Sequence, residues 1–181
     1  MLPILCLALA GCGSAAAGTT AGPPISTSPS ALPAATFAAR AGWASTASSD
    51  PGQPATAETF TVVSTIAFRE TAFSAPPADT LAAMAPDDVL IEVFLWRPGP
   101  NDGPITDRPA IDLPAVLDGG AAGQDFPGSD QSRWLQRLVG RVGDRMIDVW
   151  VFAGRPHPTA AQIASAQAML DTLQLPAWPP G

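Results

Sequence analysis

Gly143-Asp144 stands between two strand-like runs, residues 133–142 and 145–153, and no other feature constrains the fold as tightly. Glycine at the first of two central positions suits a type II′ hairpin turn. A two-residue turn also fixes the register. Arg137 then faces Trp150, Val139 faces Asp148 and Leu135 faces Phe152. Side chains alternate along a strand, so Met146, Asp148, Trp150 and Phe152 share a mixed face with Arg137 and Arg141. Ile147, Val149 and Val151 share the other, aliphatic face with Leu138.

Three more segments read as sheet. Residues 59–68 alternate, with Phe60, Val62, Ile66 and Phe68 on one face and Thr59, Thr61, Val63 and Thr65 on the other. Period two with β-branched residues is the pattern of a half-buried strand. Residues 89–96 are apolar on both parities, which suits a central strand. This strand brings Glu92, Phe94 and Trp96 to the mixed face. Phe37, Ala39, Ala41 and Trp43 share one parity and are read as a first strand, followed by a Ser- and Pro-rich loop over 45–57.

The helical signals are fewer. Residues 79–84 suit a short helix with Asp79 as N-cap and Pro86 as its stop. The last helix runs from about 159 to 173. Thr159 and Gln162 have capping-box spacing. Ile163, Ala166, Leu170 and Leu173 make its apolar stripe, with Gln162, Ser165 and Asp171 away from it. Residues 97–131 form a long Pro/Gly/Asp region in which only 111–117 suits brief pairing, at an edge because of Pro114. Strands first and a helix last give an α+β fold: an antiparallel sheet with the C-terminal helix packed on one face.

Composition narrows the chemistry. Nine arginines, no lysine and sixteen acids leave a net charge of −7 in 181 residues, which argues against nucleic acid as a partner. The two cysteines, Cys6 and Cys12, both lie in the first dozen residues, so the domain has neither a disulfide framework nor thiolate metal ligands. Asp102, Asp107, Asp112, Asp118, Asp125 and Asp130 recur every five to seven residues. The tight ligand spacing of a calcium loop is absent, and turn chemistry beside Gly and Pro accounts for most of them. No metal and no cofactor is expected. His157, between two prolines, reads as a solvated loop residue. With no G-x-S-x-G and no cysteine in the domain, it lacks an evident nucleophile. The chain is therefore read as a non-enzyme. An envelope hydrolase built from the Asp-rich region, Ser129 and His157 is the alternative. Glu58, Glu70 and Glu92 are the only glutamates, and their spacing does not pair them as acid and base.

The N-terminus reads differently from the rest. Leu2 to Ala10 is an apolar stretch of nine residues, a signal length and too short for a membrane span. Leu9-Ala10-Gly11-Cys12 resembles the lipobox of bacterial lipoproteins. The resemblance implies cleavage before Cys12 and a diacylglyceryl group on its sulfur. It also implies a place on the extracytoplasmic face of the cell membrane. The basic residue that the family carries ahead of the apolar stretch is missing here, a departure that an upstream start would explain. Two acyl chains give stable anchoring where one does not. Residues 13–35 carry no charge, and all but Ile25 and Leu32 are Ala, Gly, Ser, Thr or Pro. Such a segment is expected to be a disordered tether, spanning roughly 25–30 Å. The expected organisation is a signal peptide over 1–11, lipidated Cys12 and tether over 12–35, one domain over 36–176 and a tail over 177–181. The rival domain start is residue 58.

The domain itself loosely resembles uncharacterised secreted or lipid-anchored domains of high-GC bacteria. The matching residues are Gly42-Trp43, Thr80-Leu81, Pro86-Asp87, the hairpin from Arg145 to Gly154, and Gly154-Arg155 with Pro158-Thr159. The resemblance covers about 40–175 and implies no particular activity.

The mixed sheet face is the candidate site. Trp150, Arg137, Trp96, Glu92 and Arg141 combine aromatic surface with charge, which suits stacking and charge-assisted hydrogen bonds to a planar, anionic or glycan ligand. The same face also suits docking of a protein partner. The competing reading is internal: Arg137 stacks on Trp150, Asp148 pairs diagonally with Arg141, and the long loop covers the rest.

Overall fold

The computed structural model describes residues 33–50, 58–68, 78–99, 103–117 and 134–177. Cys12, the signal segment, most of the tether, Ser129, Glu70, Asp102, Asp118, Asp125 and Asp130 lie outside them. The described residues form an α+β fold. Its five strands are β1 (Ala44–Asp50), β2 (Glu58–Ser64), β3 (Val89–Trp96), β4 (Trp134–Val142) and β5 (Arg145–Ala153). All neighbours are antiparallel, in the order β1-β2-β3-β5-β4. Helix α1 (Ala78–Ala83) precedes β3, and helix α2 (Ala160–Leu170) follows β5.

The β4–β5 hairpin has the register that a two-residue turn dictates, with Arg137 opposite Trp150 and Val139 opposite Asp148. Gly143 has φ +63, a conformation that L side chains disfavour. Strand β3 is central, as its two apolar parities require. Ile91, Val93 and Leu95 join Ile147, Val149 and Val151 on the aliphatic face. Helix α2 lies on that face through Ala166, Met169 and Leu170, with Ile163 packed alongside. On the opposite face Val62, Leu81, Met84, Leu90, Leu135 and Phe152 form a second cluster, so α1 covers one end of the mixed face.

Several local expectations are corrected. The first strand is not over Phe37 to Trp43. Thr36 instead pairs with Gln174, a turn at Gly42 (φ +79) reverses the chain, and β1 begins at Ala44, inside the stretch read as a loop. Phe37 and Trp43 pack from this irregular segment against the core under α2. The Ser- and Thr-rich β1 is a strand because β2 offers it a continuous backbone ladder, which needs no apolar alternation. Strand β2 stops at Ser64, not Phe68. There the Ser64 hydroxyl accepts from Ile66 N at 3.2 Å, and the Thr65 hydroxyl accepts from Val89 N at 3.0 Å. Thr65 N still donates to Val89 O at 3.0 Å, but the return bond goes to a side chain and the ladder ends there. Asp79 sits inside the first turn of α1 and does not precede it as a cap. The edge pairing expected within 111–117 occurs one step earlier. Ile111 N donates to Arg141 O at 3.0 Å, and Arg141 N donates to Pro109 O at 2.8 Å.

Thr159 caps α2 with Gln162 in a complete capping box. Gln162, however, is not on the solvent side. It is buried, and its Nε2 donates to the carbonyl of Pro86 at 3.0 Å. A long amide reaching across to the turn before β3 overrides the position that helical periodicity assigns it.

Candidate functional site

On the mixed face, the β3–β5 and β4–β5 ladders set Glu92, Trp150 and Arg137 in one row and Phe94, Asp148 and Val139 in the next. Strand β2 extends these rows with Val62 and Phe60. Phe60, Phe94 and Trp96 form a run of edge-on aromatic contacts, with ring centroids 4.4 and 5.2 Å apart. All five proposed site residues therefore lie on one sheet face. Trp96 and Arg141 fall in the row of Met146, one step beyond Asp148.

The ion pair differs from the one expected. Asp148 pairs with Arg137, not Arg141. Arg137 Nε lies 3.0 and 3.1 Å from the two carboxylate oxygens and Nη2 lies 2.6 Å from one of them. The reason is geometric. Either arginine is one diagonal step from Asp148, but Arg141 Nε donates instead to the carbonyl of Arg108, 3.1 Å away, where the 109–111 segment closes over the β4 edge. Arg137 also lies over the Trp150 ring, 4.7 Å from its centroid. This is the internal stacking that the sequence allowed. The guanidinium pKa rises through its hydrogen bond to Asp148. Arg137 still leaves 42% of its side chain exposed, whereas Asp148 leaves 8%.

Glu92 is the unusual member. It is 3% exposed, in the middle of the sheet between Val62 and Trp150. Burial, and then the Asp148 charge, push its carboxyl up to about 8. Near neutral pH it is therefore mainly the uncharged acid, a hydrogen-bond donor. Two carboxyl groups in such different settings, beside one arginine and several rings, form a polar constellation set in an apolar surface. Asp148, with both oxygens taken by Arg137, is not a free base. The arrangement offers hydrogen bonding and stacking. The signal for Glu92 is visible in the sequence as the one charged residue in Val-Leu-Ile-Glu-Val-Phe-Leu-Trp, but its protonation state is not.

The other candidates do not gather here. His157, Asp107 and Asp112 are exposed; Asp107 and Asp112 belong to the β3–β4 connection and His157 to the connection between β5 and α2. Among the described residues no three His, Cys, Asp or Glu side chains come together in an arrangement that would hold a metal. Likewise, no helix among them is long and apolar enough to cross a membrane.

Comparison with protein families, with characterised proteins and with solved structures finds no match.

Two of the stretches that carry the loose domain resemblance, Pro86-Asp87 and Gly154-Arg155, meet at a junction away from the mixed constellation. Gly154 N donates to Asp88 O at 3.0 Å, Arg155 Nε donates to Pro86 O at 2.9 Å, and the Arg155 guanidinium pairs with Asp87. Gln162 reaches the same Pro86 carbonyl. These residues tie the end of β5 and the start of α2 to the turn before β3, which is a fold-keeping role.

Proposed function

We propose that this chain is a lipid-anchored extracytoplasmic domain, non-catalytic, that binds a ligand through the mixed face of its sheet. The lipobox-like Leu9-Ala10-Gly11-Cys12 and the uncharged tether after it support the anchor. The observation that carries the binding reading is Glu92. An acid in the centre of a sheet costs folding free energy and adds nothing to apolar packing. Strongly shifted acids of this kind concentrate at functional sites. Around it, Arg137 keeps part of its guanidinium in water, and Phe94, Trp96 and Trp150 are only half-buried. The ligand this suits is polar and uncharged with a flat apolar side. Asp148 already neutralises Arg137 in the central rows, and Arg141, one row further on, is engaged with the Arg108 carbonyl.

Two experiments test this. Fatty-acid labelling of wild type and Cys12→Ser tests the anchor: label is expected in the first and not in the second, and an unlabelled wild type sinks it. Thermal-shift screening against a panel of neutral saccharides and aromatic amides tests the site. At least one compound is expected to stabilise wild type and to lose its effect in a folded Trp150→Ala protein. A panel whose hits act equally on both proteins, or that yields no hits, removes the binding reading.

A further inference from the structure

The two edges of the sheet are treated differently. Outside β4, the 109–111 segment pairs with Arg141, and Pro109, Ala110 and Ile111 lie along the strand. Outside β1, the described residues place no further strand and no isolated bridge. Ala44, Ser45 and Ala47 are exposed, so the strand gains little from burial on either face. A strand held mainly by one neighbour's ladder is marginal. Sheet edges are normally protected by lysine, proline, a bulge or an inward charge. Strand β1 is Ala-Ser-Thr-Ala-Ser-Ser-Asp, with none of these before its last residue, and its register against β2 runs unbroken over seven pairs.

We propose that the open edge of β1 is a self-association surface, where a second copy of this chain adds its own β1 antiparallel and two five-stranded sheets continue as one of ten strands. The choice of a second copy rests on charge and register. Full overlap of the seven residues places the two-fold axis at Ala47. Ala47 then faces its counterpart, Thr46 takes the position opposite Ser48, and Ala44 that opposite Asp50. The two Asp50 positions fall at opposite ends of the paired strands. Six residue steps at about 3.4 Å separate them by ~20 Å, about twice the screening length at 0.1 M salt. Self-pairing thus brings no like charges together, and only small side chains approach across the axis. The inference goes beyond the ligand site and does not depend on it.

Sedimentation velocity of the full chain carrying Cys12→Ser, over a concentration series, tests it. Concentration-dependent dimerisation is expected. Ala47→Lys places two ammonium groups across the axis and is expected to weaken the dimer about five- to tenfold, because like charges directly opposed destabilise a pair. Since Ala47 is exposed, the variant should melt as wild type does. Ala47→Glu should weaken the dimer equally, and an equimolar mixture of the Lys and Glu variants should restore dimers as mixed pairs. A wild-type chain that stays monomeric at its highest soluble concentration overturns the proposal. So does a dimer that neither variant weakens, or one that mixing fails to restore.

Discussion

Glu92 and Asp148 stand one diagonal step apart across the β3–β5 ladder, and burial together with the Asp148 charge raises the Glu92 carboxyl to about 8. The unfolded chain ionises this group near 4.5. Between those two values the native state holds the proton that the unfolded state has released. The stability contribution of neutral Glu92 is therefore complete below about pH 4.5, falls as pH rises through the window, and is gone above about 8. Inside the window the one-proton difference gives a slope of up to about 1.4 kcal/mol per pH step of one. Urea denaturation at several pH values should show wild type losing stability across this range, and Glu92→Gln with a flatter profile and a gain at the alkaline end. Equal slopes for the two proteins would show that Glu92 is not protonated in the native state.

Arg137 holds Asp148 by two nitrogens, and Asp148 is nearly buried. Arg137→Ala leaves that carboxylate without its partner and removes the cover from Trp150. With Arg137 partly in solvent, the expected loss is about 1–3 kcal/mol in chemical denaturation. Arg137→Lys should recover only part of it, because an ammonium cannot reproduce the fork geometry or the stacking. In a double-mutant cycle with Asp148→Asn, the two single losses should not add.

Gly154 has no room for a side chain. A Cβ there would lie 1.8 Å from the carbonyl oxygen of Ala85, a backbone atom of the turn before β3. Gly154→Ala is therefore expected to cost about 3 kcal/mol or more. Gly140→Ala meets Ile111 Cγ1 at 2.5 Å and Pro109 O at 2.6 Å. It should cost less, because the covering segment can lift from the β4 edge, and faster amide exchange at Ile111 would report that movement. Gly143→Ala meets no neighbouring atom and is strained only by its φ of +63, at about 1–2 kcal/mol.

Thr159→Ala removes the cap of α2 and should cost about 1 kcal/mol. Gln162→Ala should cost more than a cap alone, since Gln162 closes the capping box and also binds the Pro86 carbonyl. If the two substitutions destabilise equally in thermal melts, the reach to Pro86 contributes nothing.

The strongest local codes in the chain proved legible. Gly143-Asp144 determined the hairpin and its register, and so which residues share the mixed face. The apolar run around Glu92 marked the central strand, and Thr159 with Gln162 marked the start of α2. What misled was local pattern without a local cause. The shared parity of Phe37 and Trp43 arises in an irregular segment folded against α2's core, while the Ser-rich residues after it form β1.

The sequence by itself determined the α+β class, the central strand, the hairpin register and the helix cap, because each depends on backbone geometry within a few residues. Only the tertiary structure decided that Asp148 binds Arg137, that Gln162 turns inward to Pro86, and that Glu92 keeps its proton near neutral pH. Those outcomes depend on competition and desolvation by neighbours tens of residues away. Arg108 draws Arg141 aside, the turn before β3 offers Gln162 a carbonyl, and three strands together bury Glu92 beside a charge that it cannot escape.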